Sequence, residues 1–143
     1  MIAIDTNILV YAHRADSPFH AAAAARVREV AEGRAPWALP WPCLHEFFSV
    51  VTHPRVYDPP STTSEAIDQI DAWLESPSAV PISEGTVYWP ALSSLLADGK
   101  IAGPVVHDAG VAALCIAHGV RELWTADRDF SRFPALRTKN PLL

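Results

Sequence analysis

Carboxylates follow two separate predicted strands of this sequence. Asp5 comes directly after the apolar residues 1–4, and Asp127 and Asp129 come after the segment "ELWT". A buried carboxylate is costly unless it is hydrogen-bonded, paired or bound to a cation. Ligands of open parallel α/β sheets bind beyond the carboxyl ends of the strands, so these acids are candidates for a functional site.

Two further acids lie on predicted helices. Asp108 is in the first turn of the most apolar helix, and Glu46 points away from the apolar stripe of its own helix. If Asp5, Glu46, Asp108 and Asp127 converge, with Asp129 nearby, their repulsion favours protonation of some of them. A hard divalent cation relieves that repulsion, and oxygen ligands suit Mg²⁺ or Mn²⁺. The chemistry implied is metal-dependent phosphodiester hydrolysis.

Each acid also has a purely structural interpretation. Asp5 could be the N-cap of a helix in "ILVYA", and Asp127 or Asp129 could cap a turn. Asp108 could serve only to interact with the helix dipole, and Glu46 could be an ordinary solvated glutamate. The residue pattern alone leaves both interpretations open for all of them.

Alternating strands and helices predict an α/β fold with a mostly parallel sheet. Strands are predicted at residues 1–5 and in "WALPW", "AVPIS", "ELWT" and "LRTK". Helices are predicted in "SPFHAAAAARVREVAEG" with Ser17 as N-cap, in "PCLHEFFSVVTHP", in "TTSEAIDQIDAWLES" with a Thr62/Glu65 capping box, over 84–98 with a kink or offset start at Pro90, and over 105–118.

The composition predicts one globular domain over residues 1–143. Half of the residues are hydrophobic and 19% are charged, which is typical of a folded chain of this length. The net charge of −5 argues against a protein that coats nucleic acid, unless several acids share a metal site. No apolar run is long enough to span a membrane, and we expect a cytoplasmic protein. Cys43 and Cys115 are expected to be small buried thiols.

Four motifs in order resemble a PIN-domain nuclease, and more narrowly the VapC toxins of bacterial toxin–antitoxin pairs. They are "DTNILVYA", the glutamate in "HEFFSVVTHPRVY", the aspartate in "HDAGVAAL", and "LWTADRDFSRF". The resemblance covers essentially the whole chain. It implies a three-layer α/β/α sandwich and a Mg²⁺-dependent endoribonuclease in which Mn²⁺ can substitute. It also implies a homodimer and a VapB-type antitoxin whose C-terminal segment covers the acidic site.

The resemblance assigns roles to individual residues. Asp5 and Asp108 match the direct metal ligands. The other matching residues are the remaining acids of the site, Glu46, Asp127 and Asp129, and the small polar residues that support the first aspartate, Thr6 and Asn7.

A ribonuclease also needs basic contacts with the RNA backbone. The candidates near the proposed site are Arg14, Arg55, Arg128 and Arg132, although the residue type alone favours a plain solvated arginine at each position. Histidines could position phosphate or transfer protons, although the sequence favours core or surface roles for them; these are His13, His45, His53 and His107.

Two other functions are compatible with the sequence. The same acids could hydrolyse DNA, because they act on the phosphodiester and substrate choice depends on the sugar and the bases. A catalytically inert interaction module is the third hypothesis, in which Trp37, Trp41 and Tyr57 would form an apolar docking surface.

Overall fold

A parallel sheet of five strands organises the protein, which is described over residues 1–143 by a computed structural model. The strands are β1 (Ile2–Ile4), β2 (Trp37–Pro40), β3 (Ala79–Ile82), β4 (Glu122–Trp124) and β5 (Thr138–Lys139). Their order in the sheet is β3-β2-β1-β4-β5, and every neighbouring pair is parallel. The chain therefore builds the sheet outward from β1 on one side and then continues on the other side, which places a topological switch point between β1 and β4.

Helices flank this sheet, as a parallel sheet requires for both of its apolar faces. They are α1 (Thr6–His13), α2 (His20–Glu32), α3 (Trp41–Val51), α4 (Thr63–Leu74), α5 (Tyr88–Asp98) and α6 (Val106–Ala117). Short 3₁₀ segments at Gly103–Val105 and Arg128–Arg132 precede α6 and follow β4. The predicted α/β class and parallel sheet are confirmed.

Local sequence signals place several element boundaries correctly. The hydroxyl of Thr62 accepts a bond from the Glu65 backbone N–H at 3.1 Å, and the Glu65 carboxylate accepts one from the Thr62 N–H at 3.0 Å. This is the predicted capping box, and it satisfies two N–H groups that the helix leaves free. After α6, Gly119 has φ +67°, a left-handed conformation that favours glycine.

Two predicted helix starts are wrong or need refinement. Ser17 is not the N-cap of α2. Its hydroxyl accepts a bond from the Phe19 N–H at 3.1 Å and closes a turn that precedes the helix. The helix itself begins at His20. In the segment 84–98, Pro90 lies in the first turn of α5, where a missing N–H costs little, so it marks an offset start and no kink.

Apolar side chains from the sheet and the helices form one continuous core. Trp37 is 1% exposed within it, so the docking surface proposed for Trp37, Trp41 and Tyr57 does not exist as a single surface. Cys43 and Cys115 are buried free thiols, as predicted. None of the helices has the length and apolar character that crossing a bilayer requires.

Candidate active site

The candidate site lies at the carboxyl ends of the two strands that border the switch point. Asp5 directly follows β1, and Thr125 directly follows β4. The backbone N–H of Asp5 donates to the carbonyl of Trp124 at 3.0 Å, which extends the pairing of the strands by one residue. The sheet register therefore brings Asp5 beside the segment that carries Asp127.

Asp5 is a buried carboxylate that is fully engaged in hydrogen bonds. It is 7% exposed. Its Oδ1 accepts from the Thr6 backbone N–H at 2.8 Å, and its Oδ2 accepts from the Thr125 hydroxyl at 2.8 Å and from the Asn7 amide at 3.3 Å. The Cys43 thiol lies 3.6 Å from Oδ1. Asp5 is thus the N-cap of α1 as well as a member of the site, so the two interpretations open from sequence are compatible.

Asn7 and Thr125 fasten the two strand ends to each other. The Asn7 amide Nδ2 donates to the Thr125 hydroxyl at 3.2 Å, and its Oδ1 accepts from the Ala126 N–H at 3.1 Å. The Thr125 hydroxyl also accepts from the Asp127 N–H at 2.9 Å. One hydroxyl thus uses its single donor on Asp5 and both acceptor positions on its other neighbours.

Three carboxylates form the closest group in the site. Oxygens of Asp108, Asp127 and Asp129 all lie within 4.8 Å of one another. Asp108 comes from the first turn of α6, whereas Asp127 caps the 3₁₀ segment by accepting from the Asp129 N–H at 2.8 Å. Such a group has the oxygen donors that a hard divalent cation requires.

Glu46 is solvent-exposed on α3, as its helical position predicts. Its exposed face nevertheless overlooks the site, because the Thr6 hydroxyl donates to its Oε2 at 3.3 Å. Helical periodicity states which face of α3 is apolar, but it does not state what the polar face overlooks. The packing of α3 against α1 settles that point.

Two cavities meet at the acids. The first, of about 280 Å³, is lined by Asp5, Thr6, Asn7, Glu46, Asp108 and Asp127 together with the apolar and aromatic side chains Val10, Tyr11, Val50 and Tyr57. The second, of about 590 Å³, shares Asp5, Glu46 and Asp108 and continues past His45, Ser49, Glu84, Tyr88 and His107. Asp5, Glu46 and Asp108 therefore border both cavities.

Burial and mutual repulsion change the acidity of the site. Burial raises the pKa of Asp5, although hydrogen bonds from Thr125, Thr6 and Cys43 oppose the rise. Burial also raises the pKa of Asp108, and the charges of Asp127, Asp129 and Glu46 add to that effect. A cation held among these acids would relieve both costs.

The two cysteines have no role as nucleophiles. Burial raises the pKa of Cys43 well above its usual value and raises that of Cys115 to about 12. Both are therefore thiols at neutral pH, and a thiol is a weak nucleophile.

The arginines predicted to contact RNA differ in whether other side chains already engage them. The Arg14 guanidinium is already engaged by Asp16, Ser61 and the Pro59 carbonyl, and it does not line either cavity. The other three candidates are solvent-exposed and stay predictions; these are Arg55, Arg128 and Arg132.

The predicted histidines differ in whether they line a cavity at the acids. His45 and His107 line the second cavity. His13 contacts Ser61 and Gln69, and the His53 ring accepts a bond from the Arg55 N–H. Only the first two are therefore near the carboxylates.

Thr125 and Cys43 are neighbours of Asp5 that the sequence motifs did not reveal. Thr125 stands within the quoted segment "LWTADRDFSRF", and its position one residue beyond β4 was the available signal. Nothing local marks Cys43, since it reaches Asp5 only because α3 packs against α1 and β2.

The family model described as the PIN domain matches residues 2–136. Ribonuclease VapC43 of Mycobacterium tuberculosis is 37% identical over 142 residues, which cover 99% of this chain and 96% of the relative. The chain belongs to the PIN-domain family and, within it, to the VapC ribonucleases. The resemblance inferred from the four motifs is confirmed.

Solved structures agree with this fold. VapBC2 from Rickettsia felis, bound to a DNA fragment from the promoter, superimposes with a TM-score of 0.65 at 22% identity, over 97% of this chain and 98% of that one. VapC20 of Mycobacterium tuberculosis, described as a sarcin-ricin loop cleaving toxin, gives 0.63 at 16% identity over 92% and 93%. Both identities are below 25%, so these superpositions show that the chains share a fold.

Proposed function

We propose that this VapC-family protein is a Mg²⁺-dependent endoribonuclease and the toxin of a type II toxin–antitoxin pair, with residues 1–143 as one nuclease domain. The observation that carries the proposal is the convergence of Asp5, Glu46, Asp108 and Asp127 on one cavity. Four carboxylates from four separate segments have no shared structural task that would bring them to the same place.

The donor set fits a hard cation. Asp108, Asp127 and Asp129 offer only oxygens, which favour Mg²⁺ or Mn²⁺ over zinc. In our assignment Asp5 and Asp108 are direct ligands, and the other acids complete the site. When bound, the ion would activate a water and neutralise charge on the scissile phosphate.

The chain's own residues supply orientation and proton transfer. Thr6, Asn7 and Thr125 fix the Asp5 carboxylate by hydrogen bonds, so it needs no reorganisation when substrate binds. Glu46 and Asp127 line the same cavity, and either one can accept the proton of the attacking water. The water oxygen then bonds to phosphorus as one bridging P–O bond breaks, and the departing ribose oxygen takes up a proton from solvent.

Cleavage of a total RNA pool tests this function. We expect discrete fragments with Mg²⁺ or Mn²⁺, and none with a chelator or with Asp108→Asn. Asp68→Asn is the matched control, because Asp68 is an exposed acid on α4 outside both cavities. Cleavage of DNA alone by the folded protein would assign the site to the DNA substrate class. Chelator-resistant cleavage would contradict the metal site.

An antitoxin partner is the second part of the proposal. VapBC2 from Rickettsia felis carries a VapB as well as a VapC in its name, and this supports a VapB-type antitoxin that covers the acids, with the toxin as a homodimer. Co-expressed antitoxin should abolish RNA cleavage, and light scattering of the free toxin should give the mass of a dimer. Full cleavage in the presence of a bound antitoxin would contradict coverage of the site.

A further inference from the structure

The first cavity is lined by side chains of two unlike kinds. The acids are one kind, and the other is the apolar and aromatic set Val10, Tyr11, Val50 and Tyr57, which we call the aromatic wall. Hydrolysis of the phosphodiester uses the carboxylates and leaves the aromatic wall without a task. At about 280 Å³, the cavity is at the small end of small-molecule sites and suits part of one nucleotide.

Tyr57 is held at this wall by Arg14. The Arg14 guanidinium carbon lies 4.2 Å from the centre of the Tyr57 ring, a distance suited to a cation–π contact. Arg14 is fixed in turn by two bonds to Asp16, at 2.9 and 2.7 Å, and by single bonds to the Pro59 carbonyl at 3.0 Å and to the Ser61 hydroxyl at 3.2 Å. Its side chain is only 12% exposed. The loop that carries Tyr57 is therefore clamped to the end of α1.

The His13 ring strengthens the same clamp. It contacts the Ser61 hydroxyl at 2.9 Å and the Gln69 side chain at 3.1 Å. Five polar side chains are thus used to place one loop whose tyrosine reaches the acids. Such fixation of a partly exposed ring is what a stacking surface needs, because a mobile ring loses entropy on binding.

We propose that Tyr57, together with Tyr11, forms the subsite for the nucleobase next to the scissile phosphate, and that Arg14 is the positioning residue that holds Tyr57 there. Unpaired RNA bases are commonly bound by stacking on aromatic side chains. The inference rests on the proposed ribonuclease function, since it assumes that a phosphodiester lies at the carboxylates.

Calorimetric titration with small ligands tests the subsite without knowledge of the RNA target. The probes are 5′-AMP and 5′-UMP, one purine and one pyrimidine, and ribose 5-phosphate, which lacks the base. All are titrated into the full-length protein in saturating Mn²⁺. At least one nucleotide should bind about fivefold or more tightly than ribose 5-phosphate, which corresponds to ~1 kcal/mol of base stacking.

Substitutions assign the preference to the two residues. Tyr57→Leu should abolish it, and Tyr57→Phe should retain it because the ring is kept. Arg14→Met should reduce it, and Arg14→Lys should restore part of it, since an ammonium keeps the charge but loses the planar fork. A ratio of affinities is the readout because general destabilisation does not change it.

The outcomes separate this proposal from the proposed function. Equal binding of nucleotides and ribose 5-phosphate, with RNA cleavage intact, would overturn the subsite and leave the ribonuclease standing. A nucleotide preference that survives Tyr57→Leu would overturn it as well. If Tyr57→Leu instead weakens only the inhibition by antitoxin, the aromatic wall is a contact surface for the antitoxin, and the nucleobase subsite is overturned. Absence of both nucleotide binding and RNA cleavage would remove the proposed function and the subsite together.

Discussion

Replacement of Thr125 by valine should disturb the whole site through one missing hydroxyl. Thr125→Val keeps the β-branched shape but removes the donor to Asp5 Oδ2 at 2.8 Å. It also removes the acceptor for the Asp127 N–H at 2.9 Å and for the Asn7 amide at 3.2 Å. Both Thr125 and Asp5 are buried, at 4% and 7% exposure, so bulk water cannot replace the lost bonds.

The expected cost follows from these contacts. A hydrogen bond to a charged group contributes roughly 1.5–3 kcal/mol, and an unsatisfied buried N–H adds roughly another 1 kcal/mol. We therefore expect a loss of about 2–4 kcal/mol in the free energy of unfolding at mildly alkaline pH. For a chain of this length, that corresponds to a fall in Tm of about 7–13 °C.

The cost should depend on pH with a defined sign. The Thr125 hydrogen bond lowers the pKa of Asp5 against the effect of burial, so its removal raises that pKa further. A carboxyl with a raised pKa in the folded state binds its proton more tightly than the unfolded chain does, and stability then falls as pH rises. The difference between the wild type and Thr125→Val should therefore widen as pH rises from the pKa of Asp5 in the wild type to its higher pKa in the variant, and it should stay constant above that.

Thermal melts of the metal-free protein across pH measure this effect. Thr138→Val is the matched control, since Thr138 is exposed on β5 and its hydroxyl makes no hydrogen bond. The Asp5→Asn background completes a double-mutant cycle. An equal loss from Thr125→Val in both backgrounds, or a Tm within about 1 °C of the wild type, would refute the argument, because the cost would then not come from the bond to the charge.

Three further predictions concern metal binding and local structure. Mn²⁺ should raise Tm more at alkaline than at mildly acidic pH, because the raised pKa values of Asp5 and Asp108 keep protons on the ligands at low pH; calorimetric melts measure the shift. Gly119→Ala should lower the free energy of unfolding by roughly 1–2 kcal/mol in urea titrations, since φ is +67°. Thr62→Ala should cost about 1 kcal/mol in the same assay through loss of the α4 cap.

Controls sharpen each of these predictions. A Tm shift of equal size in Asp108→Asn would show that Mn²⁺ binds elsewhere. Gly85→Ala, at a glycine with open surroundings and ordinary φ, should be neutral or slightly stabilising. Full stability of Gly119→Ala would mean that the chain can end α6 in another conformation. For the cap, Thr63→Ala one residue later on α4 should have little effect.

Sequence patterns identified most elements because their signals are local. The Thr62/Glu65 capping box and the strand in "WALPW" depend on side chains a few residues apart, and both occur in the structure. The start of α2 was wrong for the same reason: Ser17 closes a turn by a bond to Phe19, and the alternatives differ by only a few residues.

The acids were also identifiable one by one, but their surroundings were not. The strand ends predicted the positions of Asp5 and Asp127. The engagement of Asp5 by Thr125, 120 residues away in the chain, required the parallel register of β1 and β4. The contact of Arg14 with RNA stays a prediction, and only the tertiary structure shows its contacts with the Tyr57 ring and the Pro59 carbonyl.

The sequence alone determined which chemically active residues this protein has, the order of its helices and strands, and its family. Residue types, helix caps and apolar periodicity depend only on residues that are close together in the chain. Only the tertiary structure decided which groups share the site. Glu46 reaches it from an exposed face of α3. Cys43 on α3 and Thr125 after β4 both contact the Asp5 carboxylate. Those distances depend on how helices pack on the sheet, and packing is a property of the whole chain.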